Sequence, residues 1–400
     1  MSPLERQLRE EWGRLLALLV AQFRRLDLAE DGLGDAFEAA ARTWPVDGVP
    51  ANPPAWLLVT ARRRVLDRLR SEAVARRTVP LLTVEAELTE EARRTMADAG
   101  EEVVDERLRL VLLAAHPSLS AENAAALTLR LVLGVPTADI ARLFLLSTPT
   151  MAARLTRARR SLAHARFEVP GGAELEERLQ VVADVAYLAF TAGYAPASGD
   201  VVVRPDLAAE AIRLTRLVRG LAPGRTDLDA LLALMLLQHS RRDARVRDGE
   251  LVLLPDQDRS RWHVDEIDEA IALLTPHTHA PATPWLLQAL IAAEHAIAPR
   301  AGDTAWARIV RHYDELLALV ESPVVRLNRE VAVAEVDGPL AGLALLDGLV
   351  LPGHRLPATR AGLAARAGLT DLARTSYDEA LGLCANAAER RHLERRRAEL

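Results

Sequence analysis

The sequence predicts an all-α protein, and three observations predict it. Apolar residues recur at a helical period of about 3.6 in almost every segment. No stretch sustains the apolar–polar alternation of a strand. The composition is 50% hydrophobic but only 4% aromatic, so the cores are mostly Leu, Ala and Val, residues that suit helices. With 400 residues the chain is long enough for two or three domains with cores of their own.

Bulk properties narrow the compartment and the partners. The single cysteine, Cys384, excludes an intramolecular disulfide and fits a reducing cytoplasm. The N-terminal MSPLERQLREEW places charges where a signal peptide needs its apolar run, and no segment is long enough to span a bilayer. The expectation is a soluble cytoplasmic protein with no membrane contact. All 50 basic residues are arginine, a bias that fits a GC-rich genome, although arginine also suits phosphate contacts. The net charge of −6 hides a segregation: residues 1–170 carry 24 Arg against 23 Asp and Glu, residues 171–400 carry 26 against 33.

In chain order, a first helical domain is expected over 1–77. Its Asp27–Glu38 block holds five acids and no base. The segment Trp44–Pro54, dense in Pro, Gly and Asn, is expected as a loop. After it, AWLLVTARRRVLDRLR forms a basic helix that buries Leu58, Ala61, Val65 and Leu69 and turns Arg63, Asp67 and Arg70 elsewhere. Trp56 stands beside the loop, where an aromatic with arginines can stack unpaired bases and track phosphates; it suits a packed core equally well. An acidic linker follows over 78–104, with nine acids between Glu85 and Glu106 against Arg93 and Arg94. Such blocks suggest separate contact surfaces. A second small helical domain spans 105–168, Val169–Gly172 reads as a linker, and 173–400 is a run of helical hairpins. There Gly368, Ala373, Tyr377 and Ala380 follow the small–large spacing of a tetratricopeptide helix pair. Gly342 and Leu346 echo it imperfectly about 31 residues earlier. A non-repeating helical bundle is the alternative.

Within the second domain, PTADIARLFLLSTPTMAARLTRARRSL reads as a helix-turn-helix. Thr137 is placed to cap a short helix carrying Ile140, Ala141 and Phe144 inward. Thr148 is placed to cap a second helix, with Pro149 at its first position, where a missing N–H costs nothing. Met151, Leu155, Ala158 and Leu162 form one apolar stripe, while Thr150, Arg154, Arg157 and Ser161 share a flank of the other side. Between Arg142 and Arg166 six arginines stand without one acid. A helix that buries one side and presents arginine and hydroxyls on the other fits a major groove; a merely solvated basic face is the alternative.

Enzyme and metal sites find no support in spacing, so no catalytic residue, metal or cofactor is expected. Asp256, Asp258 and Ser260 begin like a calcium loop, but the sixth-place glycine is missing and Ile267 stands where the glutamate belongs. His277 and His279 have no third ligand nearby in sequence. Cys384 has no His at a recognisable distance and reads as a buried small hydrophobe.

Several phrases in fixed order resemble one family. DLAEDGLGDAFEAAARTW, NPPAWLLVTARRRVLDRLR, an acidic connector, DERLRLVLLAAHP and the helix-turn-helix follow the order of bacterial RNA polymerase sigma factors. The chain resembles the extracytoplasmic-function group of the sigma-70 family, in particular the subgroup with a tetratricopeptide-like C-terminal extension. YLAFTAGY, DLAAEAIRLTRLV, LLALMLLQHSRRDAR, LLPDQDRSRW, SPVVRLNREVAVAEVDGP and ANAAERRHLERRRAEL carry the match into that extension. The resemblance implies polymerase-clamp binding by Asp27, Glu30, Asp31, Asp35 and Phe37. It implies −10 recognition by the loop 46–52 with Trp56, Arg62, Arg63 and Arg70, and −35 recognition by Thr148, Thr150, Ala153, Arg154 and Arg157. Gly32 and Gly34 inside the acidic helix, and Leu145 in the turn, depart from the expected pattern.

The expected function is a non-enzymatic sigma factor that directs core RNA polymerase to specific promoter DNA. Its C-terminal domain would regulate or support that task through a protein or peptide partner or an intramolecular contact. The rival is a polymerase-independent helix-turn-helix regulator with a helical-repeat sensor or scaffold.

Overall fold

The structure is a computed structural model that describes residues 3–75, 101–144, 146–162, 165, 167–194, 205–247 and 250–400. The described chain is all-α apart from one short hairpin. The helices are α1 (Pro3–Phe23), α2 (Leu26–Asp47), α3 (Pro53–Ala75), α4 (Glu101–Ala114), α5 (Ala121–Leu131), α6 (Thr137–Leu143), α7 (Thr148–Ser161), α8 (Gly172–Tyr194) and α9 (Pro205–Leu221). Then come α10 (Thr226–His239), α11 (Val264–Leu274), α12 (Pro284–Ile297), α13 (Trp306–Leu319), α14 (Pro323–Asp337), α15 (Pro339–Leu345), α16 (Arg355–Arg366), α17 (Thr370–Leu383) and α18 (Ala387–Ala398). Strands β1 (Val246–Arg247) and β2 (Glu250–Leu251) pair antiparallel, with Val246 opposite Leu251. No described helix is long and apolar enough to cross a membrane.

The chain divides into two compact units, residues 1–188 with 220–223, and residues 189–219 with 224–400. The segments 1–77 and 105–168 both fall in the first. Of the acidic linker, residues 78–100 lie outside the described residues, and Glu101–Val104 open α4.

The first unit is built around α1, whose Trp12, Leu15, Leu16 and Leu19 are buried. α1 packs on α2, α3, α4 and, more lightly, α5. Its Gly13 meets the turn after α5: a Cβ there would overlap the carbonyl oxygen of Val132. In that turn Gly134 adopts φ +67°, a left-handed conformation that favours glycine, and a Cβ on it would stand 2.7 Å from the Trp12 side chain. The two predicted helical domains therefore share a contact made of glycine and tryptophan.

The Pro-rich loop is shorter than predicted. α2 continues through Trp44 and Pro45 to Asp47, and stops at Gly48, whose φ of +86° lets its N–H bond back to the Trp44 carbonyl at 3.1 Å. Proline in a helix forfeits one hydrogen bond and strains the preceding turn, a penalty that is smallest near a terminus. Pro53 and Pro54 open α3 without needing N–H partners, and the Asn52 side chain accepts from the Ala55 N–H at 3.1 Å.

The second unit is a succession of packed neighbours: α10 with α11 and α12, then α12 with α13, α13 with α14, α14 with α15, and α16 with α17. α10 lies deepest, with Leu228 and residues 230–237 all buried. Gly342 lets α15 approach α14, since a Cβ on it would stand 2.5 Å from the Ala334 Cβ and 3.0 Å from the Glu330 carbonyl oxygen. Gly368, at φ +74°, turns the chain from α16 into α17, and Ala373, Tyr377 and Ala380 are buried.

Candidate nucleic-acid interface

The helix-turn-helix is present, with different caps from those expected. α5 starts at Ser120, whose hydroxyl accepts from the Asn123 N–H at 3.4 Å. α6 begins at Thr137 itself, after Pro136 in an extended conformation, so Thr137 is helical rather than a cap. The cap of α7 is Ser147, not Thr148: its Oγ accepts from the Thr150 N–H at 3.3 Å and lies 2.7 Å from the Thr150 hydroxyl. Either hydroxyl residue satisfies one orphan amide, and the extended ψ of 150° at Ser147 selects the earlier one. Leu145, in the turn, lies outside the described residues.

Met151, Leu155, Ala158 and Leu162 are buried as the periodicity requires, and α7 packs on α5 and α6 through them. Ile140 and Ala141 are buried, Phe144 only half-buried. On the outer side Thr148, Thr150, Ala153, Arg157 and Arg160 are exposed. Arg157 and Arg160 make no ion pair among the described residues. Arg154 leans off this face to Glu122 of α5, 3.0 Å away. An exposed pair of this kind is worth about 0–1 kcal/mol, so a phosphate can compete for that guanidinium.

The acidic helix meets arginines of its own chain. Five carboxylates in twelve residues repel one another, and here much of the relief is internal. Arg68 of α3 stands 3.5 Å from Asp31 and 2.9 Å from Asp35. Arg25 donates to both Asp27 oxygens, at 2.9 and 2.8 Å, and holds that carboxyl below the usual carboxylate range. Gly32 acquires a reason: a Cβ on it would stand 2.7 Å from Val65 Cγ2 and 3.0 Å from the Ala61 carbonyl oxygen. Glycine there lets α3 lie close enough for Arg68 to reach the acids.

Glu30 and Phe37, expected to face a partner, are turned inward. Glu30 is 5% exposed, and its Oε1 accepts from Arg130 Nε at 2.7 Å and Arg159 Nη2 at 2.8 Å. Phe37 is buried with its ring 5.7 Å from that of Trp12. The Arg130 guanidinium covers the Trp12 ring at 4.8 Å. The close contact at Gly13 and Gly134 holds the turn after α5 against α1, and Arg130 and Arg159 reach Glu30 across α2. Arg130 and Arg159 carry no sequence signal of this role, because their partner lies 100 and 129 residues away.

On α3, Leu58, Ala61 and Val65 are buried and Leu69 is half-buried. Trp56 is half-buried and packs in a T-shaped pair with buried Trp44, ring centroids 5.6 Å apart, so core packing and partial exposure coexist. Arg63 and Arg70 are exposed, and Arg70 pairs with Asp67 at 3.2 Å. Arg62 is 4% exposed and lies inside the helix packing. Two apolar side chains beside the loop, Val46 and Val49, are 83% and 49% exposed.

The sites set aside in the second unit have local partners. Asp258 accepts from the Ser260 N–H at 3.0 Å and hydroxyl at 2.6 Å, a cap on a short turn. His277 Nε2 lies 2.9 Å from Asp229.

Comparison with known proteins bears on both units. Residues 109–162, which hold the helix-turn-helix, match the family described as Sigma-70, region 4. This match places a sigma-factor-like DNA-binding role in transcription on the first unit. Residues 178–277 match a family of unknown function (DUF6596). A protein of Rhizobium meliloti (strain 1021), named Uncharacterized protein R00370, is 39% identical over 386 residues, covering 94% of this chain and 90% of its own length. No solved structure matches.

Proposed function

The chain belongs to the family of the Rhizobium meliloti protein R00370 and carries a sigma-70 region 4, and from that premise we propose that it is a sigma factor of the extracytoplasmic-function type. It binds core RNA polymerase and directs it to promoters whose −35 element is read by α7. The observation that carries this reading is the outer face of α7, where Thr148, Thr150, Ala153 and Arg157 are exposed and Arg154 is held only by a displaceable surface pair. Arginine can grip guanine edges through two parallel hydrogen bonds, and hydroxyls can bond either bases or phosphates.

In this reading α3 and the loop before it take the melted −10 strand. Trp56 offers its exposed part, Arg63 and Arg70 contact phosphates, and Arg62 supports the helix from within. Asp27, Asp31 and Asp35 meet the polymerase clamp by exchanging their internal arginine partners for basic groups of the clamp. Glu30 and Phe37 hold α2 in place for that contact. Residues 173–400, with seven more acids than arginines over 171–400, form a tetratricopeptide-like domain that regulates or supports initiation.

The test is run-off transcription with purified chain, core polymerase and a promoter selected from a random −35/−10 library. The expected result is transcription that core polymerase alone does not give, and a complex that survives gel filtration. If the chain binds duplex DNA equally well with and without polymerase and never joins it, it is a polymerase-independent regulator instead.

A further inference from the structure

The second unit brings together three side chains that sequence spacing keeps apart. Cys384 ends α17, where its φ of −81° and ψ of 117° leave the helical path. It is buried beside Ala361, Tyr377, Ala380 and Leu393. Two residues later Asn386, itself 2% exposed, caps α18 by accepting from the N–H groups of Ala388 at 2.9 Å and Glu389 at 3.1 Å. That cap fixes Glu389 in the first turn of α18. His354, at the start of α16, reaches the same corner, with its Nε2 2.9 Å from a Glu389 carboxylate oxygen. One donor atom from each of His354, Cys384 and Glu389 lies within 4.8 Å of the other two.

We propose that His354, Cys384 and Glu389 form a binding site for a borderline transition-metal dication of the Zn2+ type, with a fourth position left for water or a small ligand. Such ions take sulfur at about 2.3 Å and nitrogen or oxygen at about 2.0–2.2 Å in tetrahedral array, which sets donors roughly 3.3–3.7 Å apart. The observed spacing needs only small side-chain rotations to reach that. The donor set is a thiol, an imidazole and a carboxylate, which favours zinc over the all-oxygen ions calcium and magnesium. Charge also balances: a thiolate and a carboxylate neutralise the dication at a partly buried corner. On binding, the Cys384 S–H bond breaks, its proton leaves to solvent, and the sulfur lone pair forms the bond to the metal; the His354 proton facing Glu389 moves from Nε2 to Nδ1, which frees the Nε2 lone pair for the ion. Without an ion the thiol donates to the Asn386 carbonyl at 3.5 Å, and burial keeps it protonated. The site would tie the starts of α16 and α18 to the end of α17, adding to the His354–Glu389 pair already there.

The full-length protein, stripped with a chelator, tests this by titration with Co2+. Because Cys384 is the one cysteine in the chain, any thiolate-to-cobalt charge-transfer band reports it. The expected result is a near-ultraviolet band saturating near one equivalent, displaced by Zn2+ and absent in Cys384→Ala. His354→Ala and Glu389→Gln should each weaken binding at least about tenfold, with unchanged circular dichroism. In the unaltered protein, Zn2+ should also slow alkylation of Cys384, a measurement that requires no variant to fold. Absence of the band together with unchanged alkylation overturns the proposal. So does a band that neither His354→Ala nor Glu389→Gln alters, which would mean an adventitious ion on the thiol only.

Discussion

Glu30 in α2 and Arg159 in the last turn of α7 form a two-point ion pair: Arg159 Nη2 donates to Oε1 at 2.8 Å, and its Nε lies 2.7 Å from Oε2. Arg130 shares the same carboxylate at 2.7 Å. One buried acid thus bridges the acidic helix and the helix-turn-helix. Removing one member of a buried pair leaves the other uncompensated, which is worth more than the net contribution of the pair.

Glu30→Ala should therefore destabilise the protein by about 2–4 kcal/mol, short of the full penalty because both guanidiniums keep some water. Urea unfolding of Glu30→Ala, Arg159→Ala and the double variant gives the coupling between them, expected at about 1–3 kcal/mol. Additive effects would mean that the two side chains do not meet.

Gly32 and Gly34 should respond oppositely to alanine. At Gly32 the added methyl meets Val65 and the Ala61 carbonyl, and overpacking of that kind costs about 1–3 kcal/mol. Nothing lies within 4 Å of a Cβ at Gly34, so Gly34→Ala should gain up to about 1 kcal/mol from helix propensity. Thermal unfolding of the two single variants checks this, and equal shifts would contradict the close crossing of α2 and α3.

Arg154→Ala with Arg157→Ala should weaken binding to a cognate −35 duplex by roughly 2–5 kcal/mol if one arginine makes a two-point contact to guanine. Glu122→Ala removes the internal competitor for Arg154 and should tighten binding by up to about 1 kcal/mol. Fluorescence anisotropy on one labelled duplex measures both variants. Unchanged affinity in the double arginine variant would leave the basic face merely solvated.

His295 supplies a pH dependence. Burial first, then Arg241 and Arg259, push its imidazole down to about 4 from 6.5, and its ring stands edge-on to Trp306 at 5.0 Å. The folded state keeps this ring neutral while the unfolded chain protonates it below 6.5, so unfolding takes up a proton in that window. Stability from this group is complete above pH 6.5 and is lost as pH falls toward 4, by about 2 kcal/mol once allowance is made for a half-buried ring. His295→Gln should flatten the stability profile between these limits. Parallel profiles for both proteins would show that the ring titrates normally.

Short-range order was legible in the chain. The stripe Met151, Leu155, Ala158, Leu162 follows from a period set within one helix, and each member is buried. The helix ends at Gly48 and Gly368, both at positive φ that glycine adopts without strain, are not among the turns the sequence pattern placed. Where local reading slipped, two residues competed for one role: Ser147 for Thr148 as a cap, or helix for loop across Pro45. Gly32 read as a defect of the acidic helix because its purpose is supplied by Val65, on another element.

By itself the sequence determined that the chain is helical, where a helix-turn-helix stands, and that acids and arginines come in blocks. These follow from periodicity, turn chemistry and composition, which act over a few residues. Only the tertiary structure decided which charged groups face solvent. Glu30 is spent on Arg130 and Arg159, Asp31 and Asp35 on Arg68, and Cys384 gains His354 and Glu389 as neighbours. Such partners are chosen by how closely helices approach, and that distance is fixed by packing between residues far apart in the chain.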